Sequence, residues 1–265
     1  MSYVRCQRCG RPVCPDCQRP AAVGVQCVDC VAHAANAMPS TRTVFGGRVR
    51  QGRPVATLTF MGLCIASYVV QMVDPTWLDR WAFHPVFAHE QPYRFLTAAF
   101  LHGSILHLAS NMIALWFVGP YLEQALGRTR FVALYLVSAF AGQVAVLVFA
   151  AATGGWDTWV VGASGAVFGL FGAIFFVQRR LGLDAAGIVG LIAINVVIGF
   201  TVPNIAWQAH AGGLVVGALM GAVYSFAPQR WRRAVAWVLP VAVVVVLLVV
   251  AQAAYSAAGA PGWLL

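Results

Sequence analysis

Seven apolar runs dominate the chain between residues 55 and 255. They cover roughly 55–73, 105–122, 130–152, 164–178, 185–202, 207–226 and 235–255, each near the ~20 residues that a helix needs to cross a bilayer. The fourth and fifth are short and rich in glycine. In lipid the backbone N–H and C=O groups must be bonded within the segment, so runs of this length read as helices. Only 9% of the 265 residues are charged, against about 25% in an ordinary soluble domain. The expected fold class is an all-α polytopic membrane protein.

The charges give the orientation. All 17 basic residues are arginine, and the net charge is +9. The arginines form no single patch but fall between the apolar runs, which argues against nucleic acid as a partner. With the N-terminus in the cytoplasm, fifteen arginines fall inside and only Arg80 and Arg94 outside. That is a strong positive-inside bias. It predicts a multi-pass protein of the plasma membrane with a cytoplasmic N-terminus and the lipid bilayer as its surroundings. The first outside loop, about 74–104, carries Trp77, Trp81, Phe83, Phe87 and Tyr93, suited to the lipid–water interface. No apolar stretch precedes the cysteine-rich N-terminus, so a cleaved signal peptide is not expected.

Two lone polar residues sit inside apolar runs: Ser164 in Val-Gly-Ala-Ser-Gly-Ala, at the start of its run, and His210 in Gln-Ala-His-Ala-Gly-Gly, near the start of its own. Ionisable or nucleophilic groups in lipid are costly and mark functional candidates. In the orientation above, runs two, four and six all start on the outside. His107 and Asn111, Ser164, and His210 then share one depth. A serine hydroxyl needs a base to become a nucleophile, and histidine is the usual one. No acid is available at that depth, since Glu123 and Asp184 sit at the inside ends. The reading is a Ser–His dyad. His107 and Asn111, four apart on one helical face, can donate to an oxyanion. The bland alternatives are a packing serine bonded to its own backbone and a histidine serving as metal or haem ligand. His102 and His107, five apart, point from different faces and make a poor metal pair.

Six of the seven cysteines lie in the first 30 residues, as Cys6-x₂-Cys9-x₄-Cys14-x₂-Cys17-x₉-Cys27-x₂-Cys30, followed by His33. Three C-x₂-C knuckles on the cytoplasmic side argue for structural zinc rather than disulfides. A unit this small can hardly bury a core without metal. The seventh, Cys64, reads as a small buried hydrophobe.

Taken together, residues 55–226 closely resemble the rhomboid family of intramembrane serine proteases. The segments that carry the resemblance are Gly162-Ala-Ser-Gly165, Ala209-His210-Ala-Gly-Gly213-Leu-Val-Val-Gly217, His102-x₄-His107-x₃-Asn111, and Glu123 within Tyr-Leu-Glu-Gln-Ala-Leu-Gly-Arg. The resemblance implies a six-helix core plus a seventh C-terminal span. It implies Ser164 as nucleophile, His210 as base, and His107 and Asn111 as oxyanion donors. His102 becomes a structural hydrogen-bonder, Arg94 an anchor of the first loop, and Phe168 a packing partner of His210. Glu123 matches the loop after the second span, and Gly213 and Gly217 allow close helix contact. Tyr93-Arg94 stands where the family has Trp-Arg. The cysteine unit resembles B-box-like zinc fingers. That implies one site from Cys6, Cys9, Cys27 and Cys30, and a second involving Cys14 and Cys17, with His33 as a further candidate.

The expected organisation is a zinc-binding unit over 1–36, a linker over 37–54, a protease core over 55–226, and a loop, seventh helix and tail over 227–265. The expected function is an endopeptidase that cuts transmembrane protein substrates near the outer face with no catalytic cofactor. The zinc unit would be structural or bind a cytoplasmic protein. Two competing functions are a non-catalytic rhomboid-like binder of membrane clients and a transporter with a zinc-regulated tail.

Overall fold

A computed structural model describes residues 4–37, 42–47, 52–203 and 205–258. Residues 38–41 and 48–51 of the expected linker, including Arg48 and Arg50, and the tail from 259 lie outside the described residues. The chain forms two compact units, 1–41 and 42–265.

In the first unit a 3₁₀ turn at Pro15–Cys17 leads into strands β1 (Gln18–Pro20) and β2 (Val25–Cys27), which pair antiparallel, and then helix α1 (Val28–Ala37). Among the described residues its buried apolar side chains are Cys6, Val13 and Cys27. That is too little apolar surface to stabilise such a fold unaided.

The second unit is all helical. α2 (Val55–Val73) is followed by three short helices, α3 (Trp77–Trp81), α4 (Pro85–Glu90) and α5 (Arg94–Thr97), in the aromatic loop. Then come α6 (Ile105–Leu126), α7 (Arg128–Thr153), α8 (Ser164–Arg180), α9 (Ala186–Thr201), α10 (Trp207–Phe226) and α11 (Arg232–Ala257). All seven apolar runs are helices. Among the described residues five helical stretches are long and apolar enough to cross a membrane, covering α2, α6, α7, α10 and Gln229–Ala257. α8 and α9 are shorter, with 17 and 16 residues. At 1.5 Å per residue α8 is only about 25 Å long. It tolerates this because protein surrounds it: Gly165 to Ile174 are all buried.

α8 packs most closely on α10, both pack on α7, and α11 lies along α7. Lipid removes the usual hydrophobic drive between helices, so close backbone approach must hold them together. Glycines supply it. A Cβ on Gly213 would overlap the Gly165 carbonyl, and one on Gly217 would overlap Gly169. Aromatic stacking fastens α2 to α7, with the Phe60 and Tyr135 rings 4.0 Å apart and 12° from parallel. Outside the helices, Phe45 is buried and the Thr43 hydroxyl donates to the Ala125 carbonyl at 2.7 Å, so residues 42–47 are folded onto the helical unit.

Candidate active site

Three helices deliver polar groups to one end of the bundle. Ser164 is the first residue of α8, His107 the third of α6 and His210 the fourth of α10. The turn into α8 depends on Gly162 at φ +131°, a conformation that a side chain resists. The Gly162 N–H donates to the Ala98 carbonyl at 2.9 Å, which ties this turn to the 3₁₀ turn Ala98–Phe100. A Cβ on Gly162 would stand 2.7 Å from the His107 ring, so the imidazole occupies the space a side chain would need. The first N–H groups of a helix have no acceptor within it. In α8 these lie beside the Ser164 hydroxyl.

His210 Nε2 stands 2.8 Å from Ser164 Oγ. The imidazole lies flat on Phe168, one turn along α8, with 4.2 Å between centroids and 10° between planes. Its Nδ1 is turned toward α9, 3.8 Å from where a Cβ on Gly199 would sit. Among the described residues no carboxylate bonds to this ring. Packing on Phe168, rather than a third acid, fixes its plane.

The neighbours are held by named contacts. The Asn111 amide is buried and donates to the His107 carbonyl at 2.9 Å. The His102 and His107 rings meet edge to face, 5.1 Å between centroids. His102 bonds through its backbone: its N–H donates to Gln71 Oε1 at 3.2 Å, and its carbonyl accepts from Gln71 Nε2 at 2.8 Å. Its ring nitrogens find no protein partner among the described residues. Gln71 escaped the sequence reading, although a lone amide near the end of an apolar run was an available signal. Arg94 is buried and donates to Gln91 Oε1 and to the Ala82 carbonyl, both at 2.7 Å, which closes the aromatic loop on itself. At the far end of α6, Glu123 accepts from the N–H groups of Ala56 and Thr57 at 3.0 and 2.9 Å and from the Thr57 hydroxyl at 2.9 Å. It thereby caps the first turn of α2 with negative charge where the helix dipole favours it.

The cysteine-rich unit has its own constellation. The Sγ atoms of Cys6, Cys9, Cys27 and Cys30 all lie within 4.8 Å of one another, and Cys9 and Cys27 are 3.8 Å apart. Four thiolates at the usual Zn–S bond of about 2.3 Å sit roughly 3.8 Å apart, so the set could hold a tetrahedral metal ion. The Cys27 N–H points at the Cys6 sulfur and lowers that thiol to about 6. The facing thiols of Cys27 and Cys9 push Cys30 up to about 12. A dication would relieve this crowding of sulfur charge. Cys14, Cys17 and His33 fall outside this group.

Residues 89–227 match the family profile described as the Rhomboid domain. The chain belongs to the rhomboid family. Ser164, His210, His107 and Asn111 all fall inside the matched rhomboid region. The cysteine unit, α2 and α11 fall outside it. The rhomboid protease GluP of Bacillus subtilis (strain 168) is 33% identical over 180 residues, which is 63% of this chain and 34% of that protein. RHOMBOID-like protein 1 of Arabidopsis thaliana is 34% identical over 144 residues, 52% of this chain and 36% of that one. The rhomboid protease GlpG of Yersinia pestis (strain Pestoides F) is 29% identical over 198 residues, 69% of this chain and 67% of that one. The chain thus spans about a third of the length of the first two relatives.

Proposed function

We propose that this rhomboid is an intramembrane serine endopeptidase that cuts transmembrane substrates near the outer face of the plasma membrane. The observation that carries the reading is the 2.8 Å contact between Ser164 Oγ and His210 Nε2. His210 Nε2 takes the hydroxyl proton as Ser164 Oγ attacks the scissile carbonyl carbon. The negative oxygen of the tetrahedral intermediate is met by the Ser164 N–H, His107 and Asn111. The intermediate collapses to an acyl-enzyme, and the leaving amine takes the proton back from His210. Water from the outer side then repeats the sequence and frees the acid. The loose packing of α9, in which only Ile188 and Gly199 are buried, suits lateral entry of a substrate helix beside His210. The cytoplasmic N-terminus follows from the arginine distribution.

A serine-directed fluorophosphonate tests this directly. The intact protein should be labelled, and the Ser164→Ala protein should not. An unlabelled intact protein would favour a rhomboid-like binder without catalysis. Asn111→Ala should lower turnover by about 10¹–10³, as for a lost oxyanion donor, with substrate affinity little changed. A change confined to the Michaelis constant would make Asn111 a substrate-positioning residue.

The cysteine set is proposed as a structural zinc site that holds the N-terminal unit together and serves as a docking point for a cytoplasmic protein. Four thiolates leave no open coordination position for substrate. Metal analysis of the purified full chain should find zinc, lost in Cys27→Ser and retained in Cys14→Ser. Zinc that survives Cys27→Ser would place the ion elsewhere.

A further inference from the structure

The end of the bundle remote from Ser164 gathers positive charge. α6 ends there at Leu126, while α7 and α11 begin there at Arg128 and Arg232. Between them and the folded stretch 42–47 lies a cavity of ≈ 400 Å³ lined by Arg42, Gly46, Gly127, Arg128, Arg130 and Arg233, with Trp237 at its edge. Among the described residues no carboxylate lines it. Arg130 is buried, and among the described residues its guanidinium donates to the carbonyls of Leu126 and Arg232, at 3.1 and 2.8 Å. Arg42 and Arg232 are near enough for their charges to act on it. Among the described residues Arg128 alone of these cations has an ion pair, with Glu123 at 3.4 Å. Glu123 is already engaged by the start of α2.

The cavity walls are shaped for close approach. Gly46, at φ +84°, brings its backbone against Arg130, where a Cβ would stand 3.4 Å from Nη2. Gly127, at φ +84°, starts α7 without a side-chain cap, so the first N–H groups of that helix add to the positive field. Arg42, Arg130, Arg232 and Arg233 stand close together with no ion pair among the described residues, a repulsion that a bound anion would relieve. Trp237 is 66% exposed, and below it Val238, Val241 and Val245 of α11 are also exposed. An apolar track therefore leads from the cavity down the outer surface of the bundle.

We propose that this cavity binds the phosphate of an anionic glycerophospholipid, whose acyl chains lie along α11. The arginines meet the headgroup, Trp237 sits at the level of the glycerol, and the valines face the chains. Nothing in the proposal depends on the Ser164–His210 chemistry.

Native mass spectrometry of the full chain in neutral detergent tests it, with dioleoylphosphatidylglycerol and dioleoylphosphatidylcholine offered together. One phosphatidylglycerol should be retained per chain in preference to phosphatidylcholine. Arg42→Gln with Arg233→Gln should weaken that retention roughly 10- to 30-fold, the expectation for two lost arginine contacts near a membrane surface. Both side chains are exposed, and thermal unfolding without lipid checks that the fold survives. If it does not, Arg233→Gln alone carries the test. Arg179→Gln with Arg180→Gln removes the same charge at the same end but outside the cavity, and should leave retention intact. Equal retention of both lipids, unchanged retention in the cavity variant, or equal loss in the outside variant would each overturn the proposal. Millimolar inorganic phosphate should not displace the lipid. Displacement would assign the cavity to a free anion and overturn the lipid reading.

Discussion

Ser164→Ala and His210→Ala should each abolish cleavage of a transmembrane substrate while leaving the protein folded. The expected loss is on the order of 10⁴-fold or more, to the level set by binding and oxyanion contacts alone. The double substitution should be no worse than either single one, because in the proposed mechanism the two groups act as one unit. Small effects on stability are expected. Among the described residues the Ser164 hydroxyl hydrogen-bonds to His210, and the His210 ring lies with its face on Phe168. Cleavage by both variants should be followed with a model substrate in the same detergent or liposome. A Ser164→Ala protein that cuts as fast as the intact protein would remove the proposed dyad from consideration. Phe168→Ala gives a graded companion: Ser164 and His210 remain, but the ring on which the imidazole lies is gone.

Gly217→Val should prevent stable packing of α8 on α10. At this crossing backbone meets backbone, since a Cβ on Gly217 would overlap the main chain of Gly169. Overpacking a core usually costs about 1–3 kcal/mol, and more where nothing can yield. Here the obstacle is a helix backbone rather than the end of a flexible side chain. The helices must separate, and the separation moves His210, which lies on the same helix, away from Ser164. Thermal unfolding in detergent should show a large loss of stability, with loss of any cleavage. Gly190→Val on α9 is the control, because nothing stands within 4 Å of its added Cβ. Equal unfolding temperatures for Gly217→Val and the intact protein would mean that these helices do not cross as described.

The fold was largely legible in the sequence because lipid forces a simple rule. An apolar run must become a helix, so run lengths give elements almost directly. The run 55–73 and α2 coincide, and so do 207–226 and α10. Ser164 and His210 stood out for the same reason: polar groups are rare where they are expensive. Their separation of 2.8 Å could not be read, since it depends on which faces of α8 and α10 meet. The glycines decide that, and glycine carries no periodic hydropathy signal. The loop between α2 and α6 was also opaque. Its short helices are fixed by contacts such as Arg94 with Ala82 and Phe83 with Val160, which no run length encodes. The cysteine spacing pointed to a unit that could hold a metal ion. The resemblance to B-box-like fingers implied Cys6, Cys9, Cys27 and Cys30 as one set, and the fold of β1, β2 and α1 brings those four sulfurs together.

The last helix has a consequence for assembly. Val243, Leu247, Ala251 and Ala254 form its buried stripe, and at its end the buried Tyr255 hydroxyl donates to the Pro85 carbonyl at 2.7 Å, with His89 packed against the ring. The partners of that bond are 170 residues apart in the chain. A protein leaves the ribosome N-terminus first, at about 5–20 residues per second. The loop that carries Pro85 must therefore wait, already at the membrane surface, until every other helix has been made before this latch can close. The order of synthesis makes this bond one of the last ties of α4 to close, after its packing on α7 and the Phe83–Val160 pairing nearby, and a chain released before Tyr255 would carry both Ser164 and His210 beside a loop that lacks this one tie.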